Sequence, residues 1–145
     1  MRALLDVNAL IALLDEEHVH HTEVLDWLNR PENLQHGFAT CAITQLGLIR
    51  ILSGKGYYQP IDIHEAAAQL EAITRKGHRY LGIPAPCGGS VHWKSTTGAQ
   101  STDAILLSTA VAHSCRLVTF DAGIAVKSVV EAKREHLIVL KQRAA

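Results

Sequence analysis

Three aspartates stand at points where the chain changes character. Asp6 ends the apolar run Ala3-Leu4-Leu5, Asp121 ends the β-branched and aromatic run Leu117-Val118-Thr119-Phe120, and Asp103 follows Ser101-Thr102 at the opening of an apolar helix. With the two runs as buried parallel strands, both carboxylates emerge at the carboxyl edge of a sheet, where open α/β folds place their ligands. A helix that leads into the second strand starts near that edge and brings Asp103 alongside. Each acid has a simpler reading alone: Asp6 as a helix cap, Asp103 opposing a helix dipole, Asp121 opening a turn before Gly123. Together they form a carboxylate cluster that needs a cation or a proton. Oxygen donors without a thiolate or an obvious histidine partner favour Mg2+, with Mn2+ as the alternative, over zinc. Asn8 and Thr119 lie next to the acids in sequence and are candidates for water or phosphate contacts, although helix entry and strand propensity explain them equally well.

The elements that must position these residues follow from the hydrophobic pattern. Residues Asn8 to Glu17 read as a helix leaving the first strand, and His21 to Leu28 as a second helix, the pair ending near Pro31. Phe38-Ala39-Thr40 reads as a short strand, followed by a helix from Ile43 to Leu52 with Ile43, Leu46, Ile49 and Leu52 inward and Ser53-Gly54 closing it. A helix starting at Asp62 or Ile63 turns Ala66, Leu70 and Ile73 to the core. Arg75-Lys76-Gly77 ends it with cations and a glycine, and Arg75 to Arg79 is the densest basic cluster. Tyr80 to Ile83 is a third strand candidate, followed by a Gly-, Pro- and Ser-rich stretch from Pro84 to Gln100, a length of loop that is usually functional or mobile. Ser101 or Thr102 caps the Asp103 helix; after Asp121 come a short helix with Lys127 and Val130, and a final strand Leu137 to Leu140. This alternation predicts an α/β fold, a three-layer α/β/α sandwich around a central parallel sheet, with residues 1–145 as a single domain.

Composition limits the alternatives. A chain of 145 residues, 48% hydrophobic, suits one core, and 14 basic against 14 acidic side chains give a formal net charge of zero. No basic surface is advertised, which counts little against a nucleic-acid substrate where a divalent cation supplies the positive charge. Cys41, Cys87 and Cys115 are odd in number and lack a CxxC pair, the pattern of reduced structural thiols in a cytoplasmic protein. Asp6, Asn8 and Asp15 interrupt the first apolar stretch, so it reads as neither a signal peptide nor a membrane span. His18, His20 and His21 lack structural-zinc spacing and read as solvated turn residues.

The blocks Leu4-Leu5-Asp6-Val7-Asn8-Ala9-Leu10-Ile11, Ser101-Thr102-Asp103-Ala104 and Leu117-Val118-Thr119-Phe120-Asp121 resemble, in letters, order and spacing, the acidic motifs of PIN-domain ribonucleases, closest to the VapC-type toxins of bacterial toxin–antitoxin pairs. The resemblance runs from the first strand to the last. It implies a PIN-like fold, metal-dependent endoribonuclease activity, an antitoxin protein as partner, an RNA substrate and a homodimer. It also implies that Asp6, Asp103 and Asp121 hold Mg2+ or Mn2+ and that a metal-activated water attacks an RNA phosphodiester in line. Thr44-Gln45-Leu46 departs from the pattern by placing Gln45 where the family generally has a glutamate; its carbonyl is a candidate contact to a metal water, without the charge. Two alternatives remain: an RNA- or antitoxin-binding module weakened in catalysis by Gln45, and an Mg-dependent phospho-acceptor domain, which lacks its usual second early acid here.

Overall fold

Leu4 and Leu5 are both fully buried although successive strand side chains point to opposite faces, so the strand that carries them has a core on each side. The structure, a computed structural model, describes residues 1–75, 78–82 and 90–141. Its sheet is built of β1 (Arg2–Leu5), β2 (Phe38–Cys41), β3 (Arg79–Leu81), β4 (Cys115–Thr119) and β5 (Leu137–Val139). The strands run parallel in the order β3-β2-β1-β4-β5. The chain thus moves outward from β1 through β2 to β3, then returns to β1's other side for β4 and β5. The reversal makes the crevice between the carboxyl ends of β1 and β4 a topological switch point.

Helices α1 (Val7–Leu14), α2 (His21–Leu28), α3 (Pro31–Leu34), α4 (Ala42–Leu52), α5 (Ile63–Thr74) and α6 (Ser101–Ala112) flank the sheet. Ala3, Leu5 and Val118 pack with Leu10, Val24, Leu48 and Leu70 on one face, while Leu4, Ala39 and Leu117 pack with Leu106, Leu107 and Ala110 of α6 on the other. The expected three-layer α/β/α sandwich is therefore present. The near-continuous apolar strands are what a parallel sheet covered on both faces requires.

Several boundaries differ from the sequence reading. α1 ends at Leu14 rather than Glu17, because the Asp15 carboxylate accepts from the Glu17 backbone N–H and turns the chain. The inward face of α4 is Thr44, Leu48 and Leu52, whereas Leu46 is 57% exposed. Thr44 tolerates burial because its hydroxyl pairs back to the Cys41 backbone at the start of the helix. Gln100, not Ser101 or Thr102, occupies the cap position of α6, since a 3-10 turn over Gly98–Gln100 runs directly into the helix. The short helix after Gly123 is a 3-10 turn over Val126–Ser128, with Val130 beyond it. Lys76 and Gly77 of the basic cluster, Ile83 of the third strand, and the first part of the Pro84–Gln100 stretch, including Cys87, lie outside the described residues.

α1 and α4 approach closely at Gly47, where an added Cβ would stand 2.6 Å from Val7 Cγ2. Valine is stiff at χ1 and cannot swing aside freely. Gly47→Ala is therefore expected to lose about 1–3 kcal/mol by overpacking, despite the better helix propensity of alanine. Adding Val7→Ala should recover part of the loss, and urea denaturation of the single and double variants measures both effects.

Candidate metal centre

The carboxyl end of β1 turns directly into α1 through Asp6. Its Oδ1 accepts from the Val7 backbone N–H at 2.7 Å, and its own backbone N–H donates to Val118 O at 2.9 Å, extending the β1–β4 ladder. Asp6 Oδ2 accepts from the Thr119 hydroxyl at 2.7 Å. With the hydroxyl proton committed there, Thr119 Oγ1 accepts from Asn8 Nδ2 at 3.2 Å and from the Asp121 backbone N–H at 3.0 Å. Its one donor and both lone pairs are engaged. Asn8 Oδ1 in turn accepts from the Phe120 N–H at 3.1 Å. Asn8 and Thr119 are thus the clamp that fixes the acid-bearing ends of β1 and β4 against each other.

Asp103, in the first turn of α6, faces the same crevice. Asp6 is buried, Asp103 half-buried and Asp121 exposed, and with Asn8 they line a groove of about 400 Å3 whose floor includes Gly47 and Ile51. Burial, followed by repulsion from Asp6 and Asp121, raises the Asp103 pKa to about 6. Burial also raises that of Asp6, opposed by the hydrogen bonds from Thr119 and Val7 and reinforced by Asp121. A larger cavity of about 560 Å3 lies between the end of α1 and α5 and contains none of the three acids.

Among the described residues no three His, Cys, Asp or Glu side chains close tightly enough to form a finished cation cage. The donor set nevertheless fits a hard divalent ion. All the donors are carboxylate oxygens, and the proton affinities of Asp6 and Asp103 are raised by burial and by the neighbouring acids, an excess of negative charge that a divalent cation offsets. Asp121 has a ready alternative partner, since its Oδ1 accepts from the Gly123 N–H at 2.7 Å.

The structure does not bring Gln45 to this groove. Its Nε2 donates to Thr40 Oγ1 at 2.9 Å, and Thr40 Oγ1 also meets His78 Nε2 at 2.9 Å. Gly47 and Ile51 present α4 to the acids, and Gln45 lies about 200° around the helix from Gly47 at 100° per residue. The expected contact of Gln45 with a metal water is therefore replaced by a bond to β2. The turn histidines do not cluster as ligands either: His21 Nδ1 pairs with Ala12 O at 2.8 Å, and His20 stacks on Phe120 at 4.3 Å. His18, however, lines the acid groove together with Tyr57 and Thr102. The sequence reading missed all three. Only Thr102, adjacent to Asp103, carried a local signal.

A parallel sheet whose switch point carries three acids from two strand ends and one helix start defines a class. The sequence pattern described as PIN domain matches residues 3–129, and the chain belongs to this family. Among curated relatives, Ribonuclease VapC44 of Mycobacterium tuberculosis is 39% identical over 97% of this chain and 100% of its own length. Ribonuclease VapC38 of the same organism is 38% identical over 84% of this chain and 86% of its own. A crystal structure of VapBC2 from Rickettsia felis bound to a DNA fragment from their promoter shares the fold, with a TM-score of 0.62 at 13% identity, covering 97% of this chain and 100% of that one.

The raised Asp103 pKa has a definite sign. The folded protein holds this proton more tightly than the unfolded chain, so the carboxyl group favours folding most below pH 4, and that contribution is lost as pH rises through about 6. Metal-free protein should accordingly melt at a higher temperature at pH 5 than at pH 7 as far as this group decides. Cation binding competes with the same proton. Calorimetric titration should find Mn2+ affinity falling on acidification through about pH 6, with a shallower dependence in Asp103→Asn.

Proposed function

We propose that this chain is a divalent-metal-dependent endoribonuclease, the toxin of a toxin–antitoxin pair, with Mg2+ or Mn2+ held by Asp6, Asp103 and Asp121. The convergence of these three acids at the switch point of a PIN-domain sheet carries the reading. A bound divalent cation supplies positive charge to a phosphoryl oxygen and lowers the pKa of water. The chain's own residues do the rest. Thr119 and the Val7 N–H hold both oxygens of Asp6 in fixed directions, Asn8 locks Thr119, and Asp103 and Asp121 face the groove from the other side. The open groove admits a single strand in which a phosphodiester can lie against the acids.

The antitoxin is proposed as a protein partner that covers this groove, and the chain as a single PIN unit that works as a homodimer in the cytoplasm. Buried free Cys41 and Cys115 suit that reducing compartment. Among the described residues no helix is long and apolar enough to cross a membrane. The phospho-acceptor reading loses support, because the chain belongs to the PIN-domain family and its curated relatives are ribonucleases. A binding module without turnover keeps one observation in its favour, the engagement of Gln45 with Thr40 in place of an additional acid at the groove.

Cleavage-site mapping on total RNA with Mn2+ separates these readings. Asp6→Asn, Asp103→Asn and Asp121→Asn are each expected to reduce cleavage at least 100-fold while remaining folded, and chelator should abolish wild-type cleavage. RNA that is retained but left intact by the wild type at saturating Mn2+ would support the binding module. Full activity in any two of the variants would remove the site assignment.

A further inference from the structure

We propose that His18 donates a hydrogen bond from Nε2 to the phosphodiester of the RNA strand in the acid groove, a contact that rests on the ribonuclease reading and adds to it a residue outside the carboxylates. An anionic strand lying along three acids needs hydrogen-bond donors on the protein side, and few are free. One of the two Asn8 amide N–H groups is committed to Thr119 inside the clamp, and the Tyr57 hydroxyl to Asp15 Oδ2. Val7, Ile11 and Ile51 contribute only apolar surface to the same groove. Among the described groove residues the second Asn8 N–H, His18 and the exposed Thr102 remain, and His18 is the one outside the acid clamp whose ring is oriented by a hydrogen bond.

The fixing is local and then tertiary. In the turn between α1 and α2, the His18 N–H donates to Asp15 O at 3.0 Å and His18 O accepts from the His21 N–H at 2.9 Å. The His20 backbone N–H donates to His18 Nδ1 at 3.1 Å, so in the neutral ring Nδ1 is the acceptor and the proton resides on Nε2. Burial and the neighbouring His20 hold the His18 pKa below its ordinary value against the pull of Asp15, which keeps that neutral tautomer at neutral pH. The His18 ring lies 5.6 Å from that of His20, which stacks on Phe120, and the Phe120 N–H is held by Asn8. A chain of ring contacts therefore ties the donor to the clamp that positions Asp6.

The geometry of the imidazole allows each nitrogen to be replaced separately. An asparagine at position 18 offers an oxygen near Nδ1 and preserves the turn, whereas a glutamine carries its amide nitrogen out to the Nε2 position. The test is equilibrium binding of a fluorescein-labelled, random-sequence single-stranded RNA pool to full-length Asp103→Asn protein in Mg2+, read by anisotropy. Adding His18→Ala or His18→Asn should weaken binding about tenfold, the scale of a lost hydrogen bond to a charged group, while His18→Gln should stay within about threefold of the parent. If the alanine variant fails to fold, the asparagine and glutamine variants decide alone. Recovery by asparagine and not glutamine would overturn the proposal in favour of a structural turn, as would binding indifferent to all three changes. Failure of both the Asp103→Asn parent and the wild type, the latter given an uncleavable 2′-O-methyl RNA pool in Mg2+, to bind would overturn the substrate assignment, and the His18 contact with it.

Discussion

The hydroxyl of Thr119 is the point through which the two halves of the sheet's working edge are fixed. It joins a carboxylate on β1, an amide on α1 and a backbone N–H just past β4, groups contributed from opposite ends of the sequence. Thr119 is itself fully buried and its bond to Asp6 forms away from competing water, where an unpaired partner would cost about 1–3 kcal/mol. Burial of the threonine stem in the sheet and polarity at its tip are both needed. A valine of the same shape would keep the packing but leave Asp6 Oδ2 without its donor.

The two cores carry unequal shares of this arrangement. α1 and α4 pack on the Ala3, Leu5 and Val118 face, and their close approach at Gly47 lies beside the groove. On the opposite face, α6 is anchored by Ala104, Leu106, Leu107 and Ala110, which sets its first turn so that Asp103 faces the crevice. Asp103 is thus held by the packing of its own helix, from the adjacent Ala104 to Ala110 two turns on, rather than by side-chain hydrogen bonds of its own. That division explains why burial and mutual repulsion, unopposed by hydrogen bonds, dominate its proton affinity, whereas those of Asp6 are partly offset.

What the amino-acid order revealed depended on how local the determining physics is. Strand ends, helix starts and the alternation of elements are written in short windows, so Asp6, Asp103 and Asp121 could be assigned to one edge from pattern alone. The rotation of α4 about its axis could not, because it follows from which side chains fit against α1 and β2; Leu46 looked internal and Thr44 did not. The same rotation carries Gln45 to Thr40 rather than to the acids. His18 was invisible for a related reason. Three histidines in a polar turn announce solvent exposure, and only the folding of that turn back over Phe120 brings one of them to the groove.

The strand order also sets when the site comes into being. β1 is made first, but its partner β4 and the threonine that orients Asp6 are encoded 113 residues later. Contacts of such separation are the slow ones in folding, since a long loop must close before any of them forms. A chain emerging from the ribosome can assemble β1, β2 and the helices between them while the acids remain scattered. A nuclease that would attack RNA in the cell that translates it is therefore chemically incomplete during most of its own synthesis.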